Sequence, residues 1–193
     1  EAVIDYQQKM LAGASNGGEL KQALDERLRS LDNDFEFVAE CNRGGEFMDD
    51  ERIQRLQQIA GIQWTRTLND RLGIAQEELN RRSQLPEASL PVKEDLLADR
   101  ADHIIAHDTV VYSADPLNPY GFQVEVPPHK YNLGEVYNLS IARGTLTAEE
   151  RFKINDHIVQ TIVMLESLPF PQHMEGVPEI AGGHHEKMDG TGY

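Results

Sequence analysis

Cysteine is almost missing from this sequence of 193 residues: Cys41 stands alone, so no intramolecular disulfide can form and nothing calls for an oxidising compartment. A reducing cytoplasm is the expected location. Positive charge is also scarce. Eighteen Lys and Arg face 33 Asp and Glu, for a net charge of -15, and such a field opposes broad contact with a phosphate backbone. No polymeric nucleic acid is therefore expected as a partner. A small phosphorylated ligand stays compatible, because bound metal ions and a few local cations can dominate a pocket. Long apolar runs are absent as well: none approaches the roughly 18–20 residues that span a bilayer, and no signal-peptide pattern opens the chain. The sequence opens without Met and stops inside a Gly-rich motif, so it is expected to be a segment of a longer protein. What is present, 39% hydrophobic residues, suffices for one domain or two small ones.

Helical periodicity dominates. Leu20, Leu24, Leu28, Leu31, Phe35 and Val38 recur at spacings of three and four and predict a long amphipathic helix. The same spacing is that of a coiled-coil seam, so the helix can cover a core or pair two chains into a homodimer. Asn42-Arg43-Gly44-Gly45 should end it, and Asp49 and Asp50 suit the start of a second helix with Ile53, Leu56, Ala60, Trp64 and Leu68 on its buried face. A third helical piece spans 74–82. The prolines and small residues of 83–91 then mark a boundary between an N-terminal helical region, 1–90, and a second domain, 91–193. Beyond it, 93–106 reads as helix, 109–126 as a small β-hairpin around an Asp-Pro and Asn-Pro turn, and 135–141 as a short helix. Thr147-Ala148-Glu149-Glu150 has the spacing of a capping box and should start another helix. The fold class expected is mainly α, a helical bundle with one small hairpin.

Chemistry concentrates near the end. In the capped helix, Ile154, Ile158, Ile162 and Leu165 form the apolar stripe and His157 should point inward beside it, either as a hydrogen-bonded core residue or as a ligand. After Leu168-Pro169-Phe170-Pro171, with a solvated His173, the chain reaches His184-His185, Glu186 and Asp189 between Gly-Gly and Gly-Thr-Gly. Imidazole and carboxylate are ligands that iron, manganese, zinc or nickel accept. Such ions polarise phosphates and lower the pKa of bound water, which phosphodiester hydrolysis needs. The bland alternative is a surface His pair in a Gly-rich loop.

His184-His185-Glu186-Lys187-Met188-Asp189-Gly190-Thr191-Gly192-Tyr193 resembles the signature of the HD-GYP family, cut just before its proline, and the order of Gly144 to Arg151, His157 and Leu168 to Pro171 resembles that family upstream. The resemblance covers residues 131–193. It implies an all-helical metal-dependent phosphohydrolase of a bacterial signalling protein, binding two or three ions such as iron or manganese and hydrolysing cyclic di-GMP or a related cyclic dinucleotide. By position, His157, His184 and His185 resemble the family's metal ligands, while Glu186, Asp189, Gly190, Gly192 and Tyr193 match the loop linked to ligand contacts and to docking of diguanylate cyclase domains.

One part of the pattern is not found. The family's His-Asp pair, followed closely by Gly-Lys, should stand about thirty residues before His157, where the chain offers Pro127-Pro128-His129-Lys130. His129 could supply one ligand there; His107-Asp108 is a doublet further upstream, and His103 is a candidate for the family's ligand on an earlier helix. No residue is assigned as catalytic. The alternative expectation is therefore a catalytically degenerate relative that serves as a regulatory or interaction domain.

Overall fold

Good helix formers and a Leu-rich stripe build the longest helix, α2, over Gly17–Arg43 in a computed structural model that describes residues 1–108, 122 and 124–189, with His185 described by its backbone alone. Gly44 ends α2 with φ 72°, and a Cβ there would meet the Thr145 methyl at 3.0 Å, so both backbone and space require glycine. A shorter helix, α1 (Ala2–Leu11), packs against α2, where Ala2, Asp5 and Tyr6 border one shallow groove with Leu20, Leu24 and Arg27. The third, α3 (Asp50–Ala60), starts as its sequence suggests: the Asp49 carboxylate accepts from the Arg52 N–H at 2.8 Å.

The expectation that this second amphipathic helix runs on through Trp64 to Leu68 is corrected. Gly61 ends it, and Gln63–Arg66 forms β1, antiparallel to β2 (Val92–Asp95) with Gln63 opposite Asp95 and Arg66 opposite Val92. Trp64 and Thr65 favour pleated backbone. Trp64 is exposed rather than a core residue. For the same reason 93–106 is not a helix: it begins in β2 and ends in a 3₁₀ turn, Ala101–His103, and then β3 (Ile104–Ile105), which pairs with β4 (Tyr131–Asn132). The hairpin expected near 109–126 falls almost wholly outside the described residues. Helices α4 (Gln76–Arg82), α5 (Glu135–Leu139), α6 (Ala148–Glu166) and α7 (Val177–Gly182) complete a mainly helical fold. Among the described residues no helix is long and apolar enough to cross a membrane.

The chain forms two compact units, one of Glu1–Asp102 with Gly134–Thr145, the other of His103–Leu133 with the chain from Leu146 onward. In the first, Phe37, Met48, Leu56 and Ile59 make the core, with Val38, Cys41, Ile53 and Leu139 packed around it. Phe35, expected in the buried stripe of α2, is 78% exposed. Two residues on, Phe37 lies about 200° further round the helix and meets α3, where the Arg52 and Arg55 guanidiniums stand 4.9 and 4.1 Å from its ring centre.

Charge also holds this unit together. The Arg66 guanidinium donates to both oxygens of Glu94, at 2.9 and 2.7 Å, across the β1–β2 pair. Buried Arg82 donates to Asp102 at 3.1 Å, to Glu78 at 2.8 Å and to the Asp70 carbonyl at 2.7 Å, while Arg100 reaches the other Asp102 oxygen at 3.1 Å. Burial alone raises the Asp102 pKa, but the hydrogen bond and charge of Arg100 and the charge of Arg82 outweigh it and hold the carboxyl below its ordinary range. In the second unit, α6 buries Ile158 and Val159 completely and packs against α7.

Candidate metal centre

Two helix ends position the site. At the first, the Thr147 hydroxyl accepts from the Glu150 N–H at 3.2 Å and the Glu150 carboxylate accepts from the Thr147 N–H at 2.9 Å, so the capping box forms as its spacing suggests. That fixes where α6 starts, and hence the direction in which His157 projects nearly three turns later. The expectation of an inward His157 is corrected: it is exposed, and Ile154 is 39% exposed. The helix packs through Ile158 and Val159, and a step of one residue turns a side chain by about 100°. At the second end, α7 runs into a 3₁₀ turn, Gly183–His185, which presents an exposed His184.

The structure brings His157 and His184 together, with ring centres 6.5 Å apart and ring planes at 64°. Each ring makes the same local contact: Nδ1 of His157 meets the carbonyl of Ile154, and Nδ1 of His184 meets that of Ala181, both three residues back. A carbonyl only accepts, so this contact requires the proton on Nδ1, and in a neutral ring so held Nε2 is the nitrogen with the lone pair. This is the arrangement by which metal-binding histidines are oriented, the outer nitrogen donating to a backbone carbonyl. Two imidazoles on one tetrahedral ion would have ring centres about 5 Å apart, given metal–nitrogen bonds of about 2.1 Å. The observed separation is about an ångström wider. As donors, the two residues fit a divalent metal.

The side chain of His185 and residues Gly190, Gly192 and Tyr193 lie outside the described residues. Glu186 is half-buried and its carboxylate accepts from the Lys187 N–H at 2.9 Å, while Asp189 is exposed. His107 Nε2 is 3.0 Å from the Pro127 carbonyl, and its ring stands edge-on to Phe152. Asp108 pairs with Lys130 at 2.8 Å, and that hydrogen bond holds its carboxyl below the ordinary range. His129 sits half-buried in the turn before β4, and the His103 carbonyl accepts from the Leu133 N–H at 2.9 Å. Among the described residues no group of three or more His, Cys, Asp or Glu side chains is placed to hold a metal ion, so none of these joins His157 and His184 in one cluster.

Two features escaped the sequence reading. Lys153 precedes His157 by one helical turn and donates to the Tyr131 hydroxyl at 2.9 Å, with its ammonium 5.4 Å from that ring's centre; the hydrogen bond raises its pKa and keeps it charged. The i, i+4 spacing of Lys and His was the available signal. A groove of about 680 Å³ between α6 and α7 is lined by Glu166, Glu175, Glu179 and Glu186 together with Ile162 and Phe170. Its four carboxylates come from separate elements, which periodicity could not have grouped. They oppose an anionic ligand unless cations are bound nearby. Residues 91–193, more than half of the chain, match a family model described as HD domain. No curated protein and no solved structure matches the chain.

Proposed function

This chain belongs to the HD domain family, a family of metal-dependent phosphohydrolases, and from that premise we propose that it hydrolyses cyclic di-GMP or a related cyclic dinucleotide within a bacterial signalling protein. The observation that carries the reading is the approach of two imidazoles, His157 and His184, each with its Nδ1 directed to a backbone carbonyl, the contact by which metal-binding histidines are oriented. His185, next along the chain, is the third nitrogen donor of this reading. A divalent ion such as iron or manganese held there would polarise a phosphate and acidify water. The protein's own part is to hold and orient. Backbone carbonyls orient both rings, and Lys153, one turn from His157, offers a positive charge to a phosphate in a strongly acidic chain. In this reading Glu186, Asp189, Gly190, Gly192 and Tyr193 serve recognition, of the nucleotide and of a diguanylate cyclase domain.

The test is turnover. With the chain reconstituted with iron or manganese, chromatography should show cyclic di-GMP converted to the linear dinucleotide or to GMP by wild type. His157→Ala and the double variant His184→Ala, His185→Ala should each lose the activity by at least about a hundredfold, the scale expected when a metal-binding group is removed. Metal-loaded wild type that leaves the substrate intact would favour the second reading, a degenerate relative that binds a nucleotide or a cyclase without turnover. Two observations support that alternative. Among the described residues no three-ligand cluster forms, and the His107-Asp108 doublet is engaged with Pro127 and Lys130.

A further inference from the structure

Helix α2 carries more apolar surface than its own unit covers. Leu24 is buried and Leu31 is half-buried, but Leu28 is 38% exposed and Phe35 78%. These four follow one another at spacings of four, three and four, so they share one stripe, and they occupy the d, a, d and a positions of a heptad. Of these four, Leu24 borders the groove with α1, and α2 also meets α3 and α5. One face takes α1 through Leu20, Leu24 and Arg27; another takes α3, where Arg55 pairs with Asp34 and stacks on Phe37.

The residues flanking the stripe say what covers it. In this register Arg27 is a g position and Asp32 the e position of the following heptad, five residues on. Both are exposed, and neither has an ion-pair partner among the described residues. In a parallel, in-register pair of helices, a g residue meets the e′ residue five positions later on its partner. Two-fold symmetry would then form the Arg27–Asp32′ pair twice. An antiparallel pairing would instead oppose the e positions, Asp25 and Asp32, which are both acidic. We propose that α2 is a dimerisation helix: a second copy of this chain packs parallel against Leu28, Leu31 and Phe35, with its register set by reciprocal Arg27–Asp32′ ion pairs.

Sedimentation of the full chain over a wide concentration range is the test. Wild type should be dimeric, and the double variant Leu28→Asp, Phe35→Asp monomeric with unchanged circular dichroism, since both positions are exposed in the single chain. Arg27→Asp or Asp32→Arg alone should weaken association by about three- to tenfold, as expected for paired surface ions, and the two together should restore it. Leu31→Cys in a Cys41→Ser background should cross-link spontaneously, because d positions face each other only in the parallel register. A monomeric wild type, a dimer that survives Leu28→Asp, Phe35→Asp, or a charge swap that fails to rescue would overturn the proposal.

Discussion

Replacing Asp102 with Asn removes one charge from the most buried ion pair of the first unit while nearly preserving shape. Asp102 accepts from Arg82 Nε and from Arg100 Nε, both at 3.1 Å, and its backbone carbonyl accepts from Arg81 at 3.0 Å. Removing one partner of a buried pair typically costs about 3–5 kcal/mol, because the other charge is left uncompensated. Here the stranded cation keeps other partners: Arg82 still reaches Glu78 at 2.8 Å and the Asp70 carbonyl at 2.7 Å, and the more exposed Arg100 can turn to water. About 2 kcal/mol is therefore expected for Asp102→Asn, below the range for a fully stranded charge. The only tryptophan, Trp64, sits on β1 in the same unit, so its fluorescence in a urea titration reads this unit's unfolding. The pH dependence gives a second reading. A carboxyl whose pKa is lowered on folding stabilises at pH values above its ordinary value of about 3.9 and loses that contribution as pH falls through the lower folded value. Asp102 and Glu94, which is held down chiefly by its hydrogen bond to Arg66, both act in this sense. Wild type should lose stability steeply below about pH 4, and Asp102→Asn less steeply. A variant within about 0.5 kcal/mol of wild type, with the same acid limb, would refute the assignment of this pair as a stabilising element.

Thr147→Ala removes the hydroxyl that caps α6 and should cost about 1 kcal/mol, read by thermal melting, with Glu150→Ala costing less because only the reciprocal half of the box is lost. Ile158→Ala, at a position with no exposure, should destabilise the second unit by about 2–5 kcal/mol, whereas Ile154→Ala, 39% exposed on the same helix, should cost less. Gly44→Ala faces both a positive φ and a 3.0 Å approach to Thr145, and should lower stability by about 1–2 kcal/mol.

Elements defined by local chemistry were legible in the sequence. The capping box at Thr147, the Asp49 cap, the Gly44 stop and the long Leu-patterned helix depend on residues within one or two turns, and all four are present in the structure. What depended on distant partners was not legible. β1 and β2 pair residues 63–66 with 92–95, so each strand alone kept a spacing that a helix also allows, and Trp64 was placed on the wrong surface. Phe35 and Phe37 lie two residues apart, and only the position of α3 decides which is covered. The same holds for the metal residues. The His-rich loop could be read from its motif, but the approach of His157 to His184 depends on how α7 returns along α6.

Metal content of the purified chain, measured by elemental analysis on wild type and on the double variant His184→Ala, His185→Ala, tests the central claim most directly. The account predicts bound iron, manganese or a similar ion in wild type, reduced to background in the variant while its circular dichroism is unchanged. Wild type that takes up no metal after reconstitution, or a variant that retains as much as wild type, would contradict it.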